Sequence, residues 1–312
     1  MYIKKRTTQI LLIFLIFISF QINAGGIDEA NWYLSVDIDQ LQNNEVFKML
    51  KEKQLKKTGN IPVDFKKFPD ELSHITVYGN AKGSQDATAV VSGDFSTFSI
   101  GEYIVNFIYT QDDVSKFVKE STEQYHNHQI LTLTFDGEEV TTDGPKSVYF
   151  SKINNDTSVI SLNQNEVKNW INSKYENLDV NKGSLFSVVV NVESALAHMG
   201  MNIDDNNHMM NSEIFQKVEQ ISASVSEVME DILIEIALST KDQETATQIE
   251  QVINGLVAMN NLSGTNQKNA LHKILMQNLN IHKDSNNILI SSFAPISEIK
   301  KIEASKQIEA DL

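Results

Sequence analysis

Cysteine is absent from the 312 residues, which excludes disulfides, thiol catalysis and the acylated cysteine that anchors bacterial lipoproteins. Basic residues are outnumbered, 26 against 41 acidic ones, and they form no run that could follow a phosphate backbone. Nucleic acid is therefore not an expected partner. The chain also lacks a Gly-x-Ser-x-Gly elbow, a His-Glu-x-x-His pair, a Walker loop and a Gly-x-Gly-x-x-Gly turn. We therefore expect a protein that is not an enzyme.

Long apolar runs are also lacking, except close to the first residue. Basic residues at 4–6 precede an apolar run at 10–18, and residues 22–24 offer a cleavage site ahead of Gly25. This pattern predicts a secretory signal peptide at 1–24. A retained anchor is the alternative, but the run is shorter than the roughly 20 residues that span a bilayer. We expect a periplasmic or secreted protein with no membrane span after cleavage.

The residues that are present favour a globular fold. With 41% hydrophobic and 21% charged residues, the chain can bury the core of one large or two moderate domains. Two segments, 74–95 and 220–240, share one plan: alternating apolar and polar residues, a polar turn, then alternation again. This pattern predicts two β-hairpins, each with one face buried.

The two hairpins occupy the same place in a repeated order of strand, helix, hairpin, helix, strands and helix. The sequence therefore predicts two pseudo-repeated halves, 25–180 and 181–312, joined near 179–183. Antiparallel hairpins connected by helices indicate the α+β class, with a mainly antiparallel sheet in each half and helices packed on one face. A doubly wound nucleotide-binding fold is disfavoured because no βαβαβ run occurs.

Local patterns predict further elements. Residues 98–109 fit a strand or a helix, and we favour a helix. A short helix is expected around 114–118, and a capping box formed by Thr240 and Gln243 is expected to open a later helix. Helical spacing also connects four apolar residues before the joint: Val167, Trp170, Ile171 and Tyr175.

A segment rich in methionine and histidine, 198–210, is the sharpest local feature. Thioethers and imidazoles suit copper(I), whereas imidazoles with carboxylates suit zinc, so the ligand set leaves the metal undecided. A polar connecting loop is the alternative interpretation. The candidate metal ligands are His198, Met199, Met201, Asp204, Asp205, His208, Met209 and Met210.

Two pairs of residues present smaller candidate sites. His126 and His128 would lie on one side of an extended segment and form a ligand pair. Asp37 and Asp39 resemble a two-carboxylate cation site at a strand end, although a strand that runs into a helix start explains them more simply.

The residues Ser297 and Lys300 have the Ser-x-x-Lys spacing of serine acyl enzymes. They follow Pro295 at a predicted helix start, and the other motifs of such enzymes are missing. We therefore interpret Ser297 as a helix cap, and an envelope hydrolase is the least favoured function.

Three stretches resemble uncharacterised exported bacterial proteins in which two strand-rich α+β halves follow a signal peptide: ELSHITVYGNAKGSQDATAVVSGDF, KSVYFSKINNDTSVISL and ALSTKDQETATQIEQVINGLVAMNNL. The resemblance implies an envelope location and the two-half architecture, and it implies no activity or site residues. We expect a non-enzymatic envelope protein that binds a protein partner or a small ligand through its sheet faces or the cleft between the halves. A periplasmic metal-binding protein that uses segment 198–210 is the alternative hypothesis.

Overall fold

The computed structural model describes residues 30–49, 69–79, 87–109, 117–135, 146–175, 183–192, 217–262 and 270–310. The chain divides into two compact units, one formed by Met1–Asp39 with Lys51–Val180 and the other by Gln40–Leu50 with Asn181–Leu312. Both units combine helices with antiparallel strands, which confirms the predicted α+β class. The predicted signal peptide at 1–24 lies outside the described residues.

The first unit carries an antiparallel sheet. Its described strands are β1 (Trp32–Asp37), β2 (Leu72–Gly79), β3 (Thr88–Gly93), β4 (Val118–Tyr125), β5 (His128–Phe135), β6 (Ser147–Lys152) and β7 (Thr157–Ser161), and helix α1 (Ile38–Asn43) follows β1 directly. They lie in the order β1-β2-β3-β7-β6-β5-β4, and each neighbouring pair is antiparallel. Strands β2 and β3 confirm the two strands predicted within 74–95.

Both faces of this sheet are covered by helices. Strand β3 buries Val90 and Val91, and successive side chains of a strand point to opposite faces. Helix α2 (Ile100–Tyr109) packs on the face of Val91, whereas helix α3 (Gln164–Ile171) packs on the face of Val90. The expected packing of helices on one face is therefore wrong for the first unit, because its central strands are apolar on both sides.

The second unit carries a run of antiparallel strands, in the order β8-β9-β10-β12-β11. Its elements are β8 (Phe186–Asn191), β9 (Val218–Val228), β10 (Asp231–Thr240), α4 (Gln243–Leu262), α5 (Ala270–Gln277), β11 (Asn280–Asp284), β12 (Asn287–Pro295) and α6 (Ile296–Ala310). Ile249 of α4 packs against Ile288. Ser292, on the same face of β12, donates a hydrogen bond to the Leu275 carbonyl of α5 at 2.6 Å. Helices α4 and α5 therefore share one face.

Polar contacts hold residues 40–50 to the second unit. The Asn44 side-chain amide donates to the carboxyl group of Glu227, and Glu45 forms an ion pair with Lys300. The Asn44 Oδ1 atom also accepts a hydrogen bond from the Phe47 backbone N–H at 2.8 Å, which caps the helical stretch 45–49. These contacts explain why the segment belongs with β9 and α6.

Helix α4 begins two residues later than the capping box predicted. Thr240 is the last residue of β10, and its hydroxyl donates to the carbonyl groups of Asp242 and Asn286. Asp242 is the N-cap instead, because its Oδ1 accepts the Thr245 backbone N–H at 2.7 Å. That hydrogen bond lowers the pKa of Asp242 below its usual value. Across the described ranges, no helix is long and apolar enough to cross a membrane.

Candidate functional site

A cleft of about 440 Å³ lies in the first unit, on the sheet face that α2 covers and beside the start of that helix. Strands β4, β5 and β6 form its floor, because Thr122, Leu131 and Phe150 pair in register across these three strands. Leu131 and Phe150 supply an apolar surface. Polar residues surround it, and several strands and one helix start contribute them: Ser99, Glu102, Glu120, Asn127, His128, Gln129, Lys152 and Asn154.

The protonation of His128 follows from its hydrogen bond. Its Nδ1 atom lies 3.0 Å from the Lys152 carbonyl oxygen. A carbonyl oxygen only accepts, so Nδ1 carries the proton. In the neutral ring, the Nε2 atom is then the acceptor. The Nδ1–H group of His128 thus ties the start of β5 to the end of β6 at the edge of the cleft.

The ammonium group of Lys152 is held beside the cleft. It donates to the Phe95 carbonyl, in the loop that leads from β3 to α2. In the same loop, Asp94 accepts hydrogen bonds from the Ser96 hydroxyl and backbone N–H. These bonds, with a smaller contribution from the charge of Lys152, lower the pKa of Asp94. Lys152 thus ties this loop to β6 at the edge of the cleft.

The start of α2 contributes a carboxyl group and a hydroxyl group to the rim. Ser99 caps the helix, because its Oγ accepts the Glu102 backbone N–H at 3.3 Å. Glu120, on the neighbouring strand β4, adds a second carboxyl group. The cleft thus combines an apolar floor with hydrogen-bond donors, hydrogen-bond acceptors, an ammonium group and carboxyl groups. This composition suits a small ligand that carries polar groups on a carbon skeleton.

The two histidines predicted as a ligand pair have different surroundings. His126 and Asn127 form the turn between β4 and β5 with φ values of 45° and 62°, as a two-residue hairpin turn requires. The His126 ring packs edge-on against Tyr125 at 4.4 Å between centroids. His128 instead lines the cleft. Of the predicted pair, only His128 belongs to the candidate site.

The other short motifs lie at element boundaries. Strand β1 ends at Asp37, and Asp39 lies in the first turn of α1, as expected for a strand end that runs into a helix start. Ser297 is exposed in the first turn of α6, and the Lys300 ammonium pairs with Glu45. This pairing lowers the pKa of Glu45. Ser297 and Lys300 are both described, and no hydrogen bond joins their side chains.

The predicted metal segment, 198–210, lies outside the described residues, so its ligand set stays a prediction. Within the described part of the chain, no group of three or more His, Asp or Glu side chains could hold a metal ion.

A buried polar cluster, which we call the Glu166 cluster, lies under α3 and consists of Tyr78, Glu166, Asn169, Trp170 and Tyr175. The Glu166 carboxyl group is 4% exposed and accepts from Tyr78 at 3.2 Å, Tyr175 at 3.0 Å and Asn169 at 3.2 Å. The Trp170 indole donates to the Tyr78 hydroxyl at 2.9 Å.

The Glu166 cluster orients α3 on the sheet and is closed to ligands. Burial raises the pKa of Tyr78 far above its usual value, and the nearby Glu166 raises it further. The Tyr78 hydroxyl therefore keeps its proton and remains a donor to Glu166 at every working pH. The helical spacing of Trp170 and Tyr175 predicted a shared apolar side for them, but no sequence pattern predicted the Glu166 carboxyl group beneath them.

Comparison with known proteins gives only distant likenesses. No family model matches the chain, and no curated protein matches it. Solved structures of TP0453 in crystal forms III, IV and I align with TM-scores of 0.45, 0.48 and 0.44 and identities of 10%, 11% and 10%. The alignments cover 91%, 90% and 91% of this chain and 96%, 94% and 95% of the TP0453 chains. At these values, neither a family nor a function is assigned to the chain.

Proposed function

We propose that the protein is an exported, non-enzymatic binding protein of the bacterial envelope, and that its first unit binds a small polar ligand in the cleft. The cleft is the observation that supports this proposal. Its volume of about 440 Å³ lies within the range of roughly 300–1,000 Å³ that is usual for small-molecule sites. Its apolar floor and polar rim also match the usual composition of such sites.

The lining favours a ligand with several polar groups. Leu131 and Phe150 would cover one side of a carbon skeleton, while Gln129 and Thr122 would meet hydroxyl or amide groups. A wholly apolar ligand would cover these exposed polar groups and leave them without partners, at a cost of up to about 1–3 kcal/mol for each. Ligands with several hydroxyl, amide or amine groups are therefore preferred.

We also propose that the two units are pseudo-repeats. The strand order of the first unit, β1-β2-β3-β7-β6, is matched by β8-β9-β10-β12-β11 in the second. In each unit a helix follows the first hairpin, and another follows the second: α2 and α3 in one, α4 and α6 in the other. The hairpin of β4 and β5 is then an insertion in the first unit. An experimental structure in which these five-strand sets failed to superpose would argue against the repeat.

Export is supported by residues 1–24, whose basic start and apolar run have the form of a signal peptide. Protein recovered from the periplasm or the medium is expected to begin at Gly25. Amino-terminal sequencing checks this prediction. Recovery only from the cytoplasm, with Met1 intact or removed alone, would contradict export.

Filling the cleft is expected to abolish ligand binding. Thr122 lines the cleft and is exposed, so Thr122→Trp would occupy the space above Leu131 without entering the core. We expect a member of a panel of amino acids, sugars, polyamines and nucleosides to raise the melting temperature of the wild type by several degrees when saturating. The variant should bind that ligand at least about tenfold more weakly. Thermal-shift assays followed by calorimetric titration measure both quantities.

Ser121 provides the matched control, because it is the exposed neighbour of Thr122 on the same strand and points to the opposite face. Ser121→Trp should leave the affinity unchanged. The proposal fails if no panel member shifts the melting temperature, or if both tryptophan variants bind equally well. Chemical conversion of the bound ligand would contradict the non-enzymatic assignment and leave the cleft in place.

A further inference from the structure

More negative than positive charge lines the cleft of the first unit. Three of its lining residues carry a full charge at neutral pH: Glu102, Glu120 and Lys152. Within the described part of the chain, no side chain pairs with the carboxyl group of Glu102 or of Glu120. Both glutamates are exposed, so their charges are open to a ligand that enters the cleft.

The positive charge of Lys152 is already compensated. Its ammonium group donates a hydrogen bond to the Phe95 carbonyl. Asp94, one residue earlier, lies close enough for the charge of Lys152 to contribute to the lowering of its pKa. Lys152 and Asp94 together therefore add little net charge beside the cleft, and the two glutamates leave an excess of negative charge there.

Strand β4 places Glu120 beside the apolar floor. Glu120 pairs in register with Leu133, and Thr122 pairs with Leu131 two positions further along the same two strands. Alternate residues of a strand share a face, so Glu120 lies on the same side of the sheet as Thr122. Leu131 and Leu133 both pack in the cluster formed with α2, which identifies this side as the one that carries the cleft.

The start of α2 brings Glu102 to the same floor. Its neighbour Gly101 touches the sheet, because a Cβ atom there would be 3.1 Å from Cδ2 of Leu131 and 3.5 Å from Cβ of Phe150. Glu102 lies in the first turn of the helix, where its charge offsets the partial positive charge of the helix start. The helix start therefore does not make the cleft attractive to anions.

We propose that the ligand of the cleft is an aliphatic diamine or polyamine, an inference that rests on the proposed function of the cleft and narrows its ligand class. The methylene chain would cover Leu131 and Phe150, while ammonium groups would pair with Glu102 and Glu120. The net charge of −15 favours the same class, because a negative protein attracts cations over long distances. Each exposed ion pair is weak, so the affinity should be moderate and should fall as salt is added.

Probes that share one four-carbon skeleton test the charge preference. Putrescine ends in amines, butanediol in hydroxyl groups and succinate in carboxylates, so the three differ mainly in charge. Calorimetric titration should show that putrescine binds at least about tenfold more tightly than either analogue. Spermidine, which carries one more ammonium group on a longer chain, should bind at least as tightly as putrescine.

Charge-removing variants then locate the two ion pairs. Glu102→Gln and Glu120→Gln should each weaken putrescine binding several-fold, and the double variant should weaken it at least about tenfold. Glu123→Gln is the matched control. Glu123 also lies on β4, but it points to the opposite face and pairs with Lys168 of α3 at 3.0 Å, so its replacement should leave the affinity close to that of the wild type.

The outcomes separate the ligand class from the cleft itself. Three results would overturn the ligand class: butanediol or succinate binding more tightly than both amines, amine affinity that the double variant retains, or amine affinity that Thr122→Trp leaves intact. A sugar, amino acid or nucleoside that binds in the cleft when neither amine does would also overturn it, while the proposed function would stand. If no compound binds at all, the proposed function fails together with this inference.

Discussion

Truncation of Trp32 to alanine is expected to lower the free energy of unfolding of the first unit by about 4 kcal/mol, the usual cost of removing a large buried aromatic side chain. Trp32 is 3% exposed in β1 and pairs in register with Gly79 of β2. Its ring lies directly over that glycine, since a Cβ atom at Gly79 would be 2.5 Å from Cε2 and Cζ2 of the indole. Urea denaturation, followed by circular dichroism, measures the loss.

The same contact predicts strong coupling between the two positions. Gly79→Ala alone should be destabilising, because the new methyl group overlaps the Trp32 ring. In the Trp32→Ala background the same change should cost little or even stabilise the strand, because the ring is gone and alanine restricts the unfolded chain more than glycine does. A double-mutant cycle checks this. Additive effects at the two positions would show that the ring does not rest on Gly79.

Replacement of Glu166 by alanine is expected to destabilise the first unit by about 3 kcal/mol, because two buried donors and one half-buried donor lose their acceptor together. These donors are the hydroxyl groups of Tyr78 and Tyr175 and the side-chain amide of Asn169. The loss should appear as a lower urea midpoint, without a change in the slope of the transition.

Two further variants identify the cause of that loss. Glu166→Gln keeps one carbonyl oxygen as an acceptor and should be less destabilising than Glu166→Ala. Asn165→Ala changes an exposed neighbour on the same helix and should alter stability by less than about 0.5 kcal/mol. If Glu166→Ala were as mild as Asn165→Ala, the Glu166 cluster would contribute little to the stability of α3 on the sheet.

The strongest sequence patterns gave the correct elements. The alternation at 220–240 corresponds to β9 and β10, which pair from Asp231↔Val228 to Ser239↔Gln220. The ambiguous segment 98–109 contains α2, as favoured from its helical stripe. These patterns succeed because each element buries one face, and the buried face sets the spacing at which apolar residues recur in the sequence.

Exposed strands were missed for the same physical reason. A short helix was predicted around 114–118; residues 114–116 lie outside the described residues, and Val118 begins β4, in which all six residues between the two ends are exposed. A strand with neither face buried carries no apolar alternation that could reveal it. Strand β11 (Asn280–Asp284) was missed as well, and three of its five residues are exposed.

The candidate site was predictable only in part. His128 was predicted as a metal ligand from the sequence. Its polar neighbours in the cleft come from α2 and β6, which are distant in sequence. No local pattern connects Ser99 or Lys152 with His128, because the pairing of β5 with β6 and the packing of α2 on these strands bring them together only in the folded chain. The burial of Glu166 could not be predicted for a similar reason. A glutamate in a helix is usually solvated, and Glu166 is buried only because partners from other parts of the fold donate hydrogen bonds to it.

Strand β4 lies at the end of the first unit's strand order, and its charged residues guard against amyloid-like growth. An outer strand can recruit a further strand through its unpaired backbone groups. On β4, Lys119 and Glu123 point to one face and Glu120 to the other, so a copy of this strand added in parallel and in register would bring like charges together on both faces. The same polarity that leaves β4 without an apolar alternation in the sequence thus disfavours the parallel, in-register stacking of this strand that amyloid requires.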